Sequence, residues 1–112
     1  MVAFLATQQQ FQAQVNSSDI TFIDFTAKWC GPCKQISPVF ESLALSYKDL
    51  STIKFFKVDV DDNGATATMC GISSMPTFRV YQGGKLLEEF KGAHADRLKD
   101  FVGTYATLEI QR

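Results

Sequence analysis

Apolar and polar positions follow two different periods along the chain. The stretch Ile20-Thr21-Phe22-Ile23-Asp24-Phe25 is β-branched and aromatic with almost no alternation, the pattern of a strand buried on both faces of a sheet. Its one charged residue is Asp24. From Pro32 to Tyr47 the apolar residues Ile36, Val39, Phe40, Leu43, Ala44 and Tyr47 follow the i, i+3, i+4 rule, which predicts an amphipathic helix that Pro38 should kink. Ile53 to Val60 reads as a second buried strand, so the helix before it predicts a parallel, right-handed βαβ unit. Thr77 to Gln82 and Leu86 to Lys91 flank Gly83-Gly84, a hairpin signal. A final helix carries Leu98, Phe101, Val102, Tyr105 and Leu108 on one stripe. Near the start, Thr7 followed by Gln10 fits a capping box, and Phe11 and Val15 extend a short helix that should end between Asn16 and Ser18.

The expected order is therefore β, α, β, a short helical stretch, a β-hairpin and a last helix, with room for a minor strand at the N-terminus. This is an α/β fold in which parallel and antiparallel pairs share a central mixed β-sheet flanked by helices. No repeat, linker or low-complexity stretch divides residues 1–112, and a chain that is 46% hydrophobic can bury one core, so a single domain is expected.

Charge narrows the functional classes. Eleven Lys and Arg face 12 Asp and Glu, a formal net charge of -1, so no field of one sign exists to attract nucleic acid or anionic lipid. No apolar run approaches membrane-spanning length. The first basic residue is Lys28 and the early apolar run Val2 to Ala6 is short, which is not the pattern of a signal or transit peptide. The expectation is a soluble, cytoplasmic monomer, in which Asn16-Ser17-Ser18 matches a glycosylation acceptor by accident.

The cysteines carry the chemistry. There are three, an odd count in a chain that needs no disulfides to compensate for a missing core. Cys30 and Cys33 form a C-x-x-C pair between a buried strand and a helix that opens with Pro32, which puts the first sulfur at the helix N-terminus. Free N–H groups and the positive end of the helix dipole there stabilise a thiolate, so Cys30 is expected to be the acidic, attacking thiol. Cys33, three residues on and less exposed, is expected to resolve the intermediate. Half a zinc site is the competing reading, but only Cys70 and His94 remain as soft or imidazole ligands and they lack paired spacing, so no metal is expected.

Asp24 sits in an apolar strand, where desolvation should raise its pKa and make it a usable base near neutral pH. Lys57, in the middle of the neighbouring strand, is its natural partner. A structural ion pair and a catalytic carboxyl stand as equal readings at this point. Asp59 to Gly64 imitates the first half of a calcium loop, but its twelfth position is Cys70 rather than Glu, and a turn with a helix cap is expected. Cys70 reads as a small structural hydrophobe. His94 falls near the N-cap of the last helix, where it would cap weakly.

Phe25-Thr26-Ala27-Lys28-Trp29-Cys30-Gly31-Pro32-Cys33-Lys34, then Val58-Asp59-Val60-Asp61, Met75-Pro76-Thr77-Phe78, Gly83-Gly84 and Gly92 follow in order. Together they resemble the thioredoxin family over essentially the whole chain, with Thr26 where that family often has an aromatic or a serine. The resemblance implies that Cys30 is the nucleophile, Cys33 the resolving thiol and Asp24 the base that helps Cys33 ionise, with Lys57 beside it. It also implies a cis Pro76 against the disulfide, Met75 offering backbone hydrogen bonds to an extended substrate, and Trp29, Gly31, Pro32 and Gly92 on the surface that receives it. Gly31-Pro32 between the cysteines resembles the reducing members of the superfamily. The implied activity is protein-disulfide reduction with no bound cofactor, electrons coming from NADPH through a thioredoxin reductase. Peroxiredoxins, methionine sulfoxide reductases and ribonucleotide reductase are the implied kinds of target. A redox-gated binding module and an oxidase or isomerase are the other classes open to such a chain.

Overall fold

The unbroken β-branched and aromatic run places β2 (Ile20–Thr26) at the centre of a five-stranded sheet. In the computed structural model, which describes residues 1–112, β2 pairs in parallel with β3 (Ile53–Asp59) along its whole length, setting Asp24 opposite Lys57. The short β1 (Ala3–Phe4) runs parallel along the outer edge of β3. On the other side β4 (Thr77–Gln82) pairs antiparallel with β2, and β5 (Lys85–Lys91) antiparallel with β4, giving the order β1-β3-β2-β4-β5. The helices are α1 (Gln8–Val15), α2 (Gly31–Ser46), α3 (Gly64–Cys70) and α4 (Ala95–Ile110). The mixed sheet and its parallel β2-α2-β3 unit match the expectation from the sequence, including a minor N-terminal strand.

Side-chain alternation divides β2 between two cores. Ile20 and Phe22 pack with Ile36 and Phe40 of α2 and with Leu98, Phe101 and Val102 of α4. Ile23 and Phe25 pack on the opposite face with Phe11 and Val15 of α1. Asp24 lies on the same face as Phe22, beneath α2. Phe40 anchors that helix to the sheet, its ring 5.5 Å from Phe55 and 5.8 Å from Phe78. Packing of Ile36 and Phe40 on either side of Pro38 holds α2 as one helix through the proline.

Local signals are met with one change of partner. Thr7 Oγ1 accepts from the Gln10 N–H at 3.1 Å, but the Gln10 carboxamide oxygen accepts from Ala6 rather than from the cap residue itself. In the hairpin, Gly83 and Gly84 both take positive φ, 58° and 80°, as a tight two-residue turn requires. Their N–H groups donate to Ser17 and Val15, which docks the turn on the end of α1.

Removing the ring that ties α2 to the sheet should be costly. Phe40→Ala is expected to destabilise the protein by about 3–5 kcal/mol, measured by urea unfolding at neutral pH.

Candidate active site

The chain leaves the sheet at Thr26 and turns through Ala27-Lys28-Trp29 into α2. Cys30 has extended backbone and is the N-cap residue, while Gly31 and Pro32 form the first turn, where a proline's missing N–H leaves no bond unmade. The Cys33 N–H donates to Cys30 Sγ at 3.2 Å, so sulfur takes the place that a hydroxyl or carboxylate oxygen holds at other helix starts. Cys30 and Cys33 are joined as a disulfide, their Cα atoms 5.2 Å apart. Both residues are buried, 5% and 2% exposed, so accessibility separates them less than the sequence implied. What distinguishes them is the donor: the same N–H that meets the disulfide sulfur is in place for a Cys30 thiolate.

Other loops close around this pair. The Met75-Pro76 peptide is cis, and the Met75 carbonyl oxygen lies 3.8 Å from Cys30 Sγ. Gly92, at φ 103°, donates its N–H to the Pro76 carbonyl at 3.0 Å. Gly31 and Pro32 are exposed, Pro76 is buried, and Met75 and Gly92 are half-buried. Trp29 is 67% exposed, and its indole N–H donates to Asp61 Oδ2 at 2.8 Å. Lys28 pairs with Asp62 at 3.3 Å. Asp59 Oδ1 accepts from the N–H groups of Asp61 and Asp62, and Asn63 caps α3. The acidic run is thus a turn that holds the Trp29 loop. No cluster of His, Cys, Asp and Glu side chains suits a metal ion.

Beneath α2 the charges are arranged differently from the pair expected between Asp24 and Lys57. The two are ladder neighbours, but the Lys57 ammonium pairs with Glu41 at 2.7 Å and donates to Ser37 Oγ at 2.8 Å. Glu41 also accepts the Val2 N–H at 2.8 Å. Asp24 is 1% exposed and its Oδ1 has no hydrogen-bond partner. Burial pushes the Asp24 carboxyl up to about 7, opposed by the charge of Lys57 and reinforced by that of Glu41. Burial also works against ionisation of Glu41, but hydrogen bonds from Lys57 and Val2 outweigh it and hold that carboxyl below its usual range. A cleft of about 240 Å³, lined by Cys33, Ser37, Lys57 and Asp59 among others, connects the second cysteine with the lysine head.

Sequence reasoning missed Glu41, Ser37 and Asp61. Glu41 and Ser37 stand four apart on α2, a spacing that shows a shared helix face without naming what it meets. Away from the site, Cys70 is half-buried at the end of α3, with Sγ 3.9 Å from the Tyr81 hydroxyl, and burial raises its pKa against that hydrogen bond and the nearby Arg79. His94 starts α4 without a side-chain cap bond.

The raised Asp24 pKa ties stability to pH. Unfolded, the carboxyl ionises near its ordinary value of about 4; folded, it keeps its proton to about 7. The native state therefore binds more protons across that window, and this group's contribution is full below pH 4 and lost as pH rises to 7. Asp24→Asn is expected to remove the loss. Its stability advantage should grow from pH 4 to 7, reaching on the order of 4 kcal/mol, and then level off in urea titrations.

The family model for Thioredoxin matches residues 2–104. The thioredoxin of Ictalurus punctatus is 40% identical over 107 residues, covering 94% of this chain and 99% of its own, and that of Gallus gallus is 38% identical over 104 residues, covering 91% and 96%. Among solved structures, Plasmodium falciparum thioredoxin superposes with a TM-score of 0.87 at 35% identity, covering 93% of this chain and 99% of that one. With a dithiol pair capping α2, this chain belongs to the thioredoxin family and is a thiol-disulfide oxidoreductase acting on protein disulfides.

Proposed function

We propose that the chain is a reductase in which Cys30 attacks, Cys33 resolves and Asp24 carries the proton. The observation that carries this reading is the Cys33 N–H bonded to Cys30 Sγ at the start of α2. It favours negative charge on Cys30 in particular.

In the first step the Cys30 thiolate attacks one sulfur of a substrate disulfide, forming a mixed disulfide and releasing the other substrate sulfur as a thiolate. In the second, Cys33 gives its proton to the Asp24 carboxylate and attacks Cys30 Sγ. The Cys30–Cys33 bond forms, the mixed disulfide breaks, and the released thiolate takes up a proton. A carboxyl near neutral pKa suits both halves of that exchange. The cleft by Cys33 also reaches Lys57, the ladder neighbour of Asp24.

Trp29, Gly31, Pro32, Met75, Pro76 and Gly92 are assigned to the surface that receives the substrate, with the Met75 backbone beside the attacked bond. Electrons would return from NADPH through a thioredoxin reductase, in the cytoplasm. Peroxiredoxins, methionine sulfoxide reductases and ribonucleotide reductase are candidate targets. A structure of similar fold, at TM-score 0.83 and 31% identity, is described as the basis of the thiol resolving mechanism in yeast mitochondrial 1-Cys peroxiredoxin via glutathione/thioredoxin systems.

Trapping tests the division of labour. Incubated with a cell extract, Cys33→Ser is expected to hold oxidised proteins covalently on Cys30, visible on a non-reducing gel, and Cys30→Ser to hold almost none. The opposite pattern would reverse the assignment. Cys70→Ser should retain most insulin reduction with dithiothreitol as donor; loss of most of that activity in a folded protein would give Cys70 a part in the exchange.

A further inference from the structure

Asp24 and Lys57 are opposite each other in a parallel ladder, where neighbouring strands run about 4.8 Å apart, so a flexible lysine on the same face could reach the carboxyl. It makes no ion pair there. Its ammonium is held by Glu41 and Ser37, four residues apart on α2, and lies 5.9 Å from the centre of the Phe4 ring. Glu41 is itself fixed, with Oε2 on Lys57 and Oε1 on the Val2 N–H. Asp24 Oδ1 is left buried with no partner.

We propose that Glu41 is a positioning residue for the buried acid: by fixing the Lys57 ammonium against α2, it leaves Asp24 without a direct ion-pair partner and so able to take the Cys33 proton. The role rests on the reading of Asp24 as the base. An Asp24 paired with lysine would stay ionised well below neutral pH and would be a weak proton acceptor. The charged groups that act on Asp24 are Lys57 from β3 and Glu41 from α2, while its neighbour on β4 is the apolar Phe78. Removing Glu41 has one sign by both routes available. The lysine is released toward Asp24, and a like charge beneath the helix disappears.

The test is the titration of the Asp24 carboxyl, followed by carbon NMR in Glu41→Ala, together with the pH profile of insulin reduction. The Asp24 midpoint is expected to fall by about one pH unit, the low end of what an opposite charge at close range produces. The acid limb of the rate, the part that Asp24→Asn abolishes, should move down by the same amount, and Glu41→Ala should move nothing in an Asp24→Asn background. Glu41→Gln keeps one acceptor oxygen, for Val2 or for Lys57, while losing the charge. It should shift the midpoint the same way by less, and it serves as the test variant if Glu41→Ala does not fold by circular dichroism. A midpoint that stays or rises in the folded variants overturns the placement by Glu41. A midpoint that falls while the rate limb stays overturns Asp24 as the base.

Discussion

The site depends on one constraint, that β2 must bury both of its faces. Phe22 is taken up by the core under α2 and α4, Phe25 by the core under α1, and Asp24 between them is buried with them. An isolated carboxylate in that place is expensive, so the group keeps its proton until pH nears 7. Central position in the sheet thus supplies the acid, and the end of the same strand supplies the dithiol. The five residues from Thr26 to Cys30 carry the chain from one to the other.

Around that axis, every loop at this end of the sheet contributes something to the cysteines. The turn after β3 holds the Trp29 loop through Asp61 and Asp62. The segment before β4 brings the Met75 carbonyl to Cys30, and the residue after β5, Gly92, bonds to Pro76. These segments come from distant parts of the chain, and the packed sheet brings them to one place. Loss of sheet packing would therefore disperse the site before any cysteine changed its chemistry.

Much of this was legible in the residues. The strand β2 follows from its unbroken apolar run, α2 from its stripe and the hairpin from Gly83-Gly84, because each signal is local in the chain. The C-x-x-C pair at a helix start identified the redox centre for the same reason. The partner of Lys57 was not legible. Register places Asp24 beside it, but which carboxylate the ammonium meets depends on how α2 lies across the sheet, and that follows from Phe40 packing on Phe55 and Phe78. Asp61 was visible within a motif, but its bond to an indole 32 positions away depends on how two loops meet.

The Trp29 ring combines two properties that are usually opposed. It stands largely in solvent, and its N–H is nonetheless tied to Asp61. A free aromatic side chain at a rim loses rotamer freedom when a partner settles on it, at about 0.5–1.5 kcal/mol for each group immobilised. Here that entropy has already been given up in folding. The ring offers broad apolar contact without demanding a particular side chain in return, so preorganisation, rather than complementarity to one sequence, sets the terms on which different chains can dock beside Cys30.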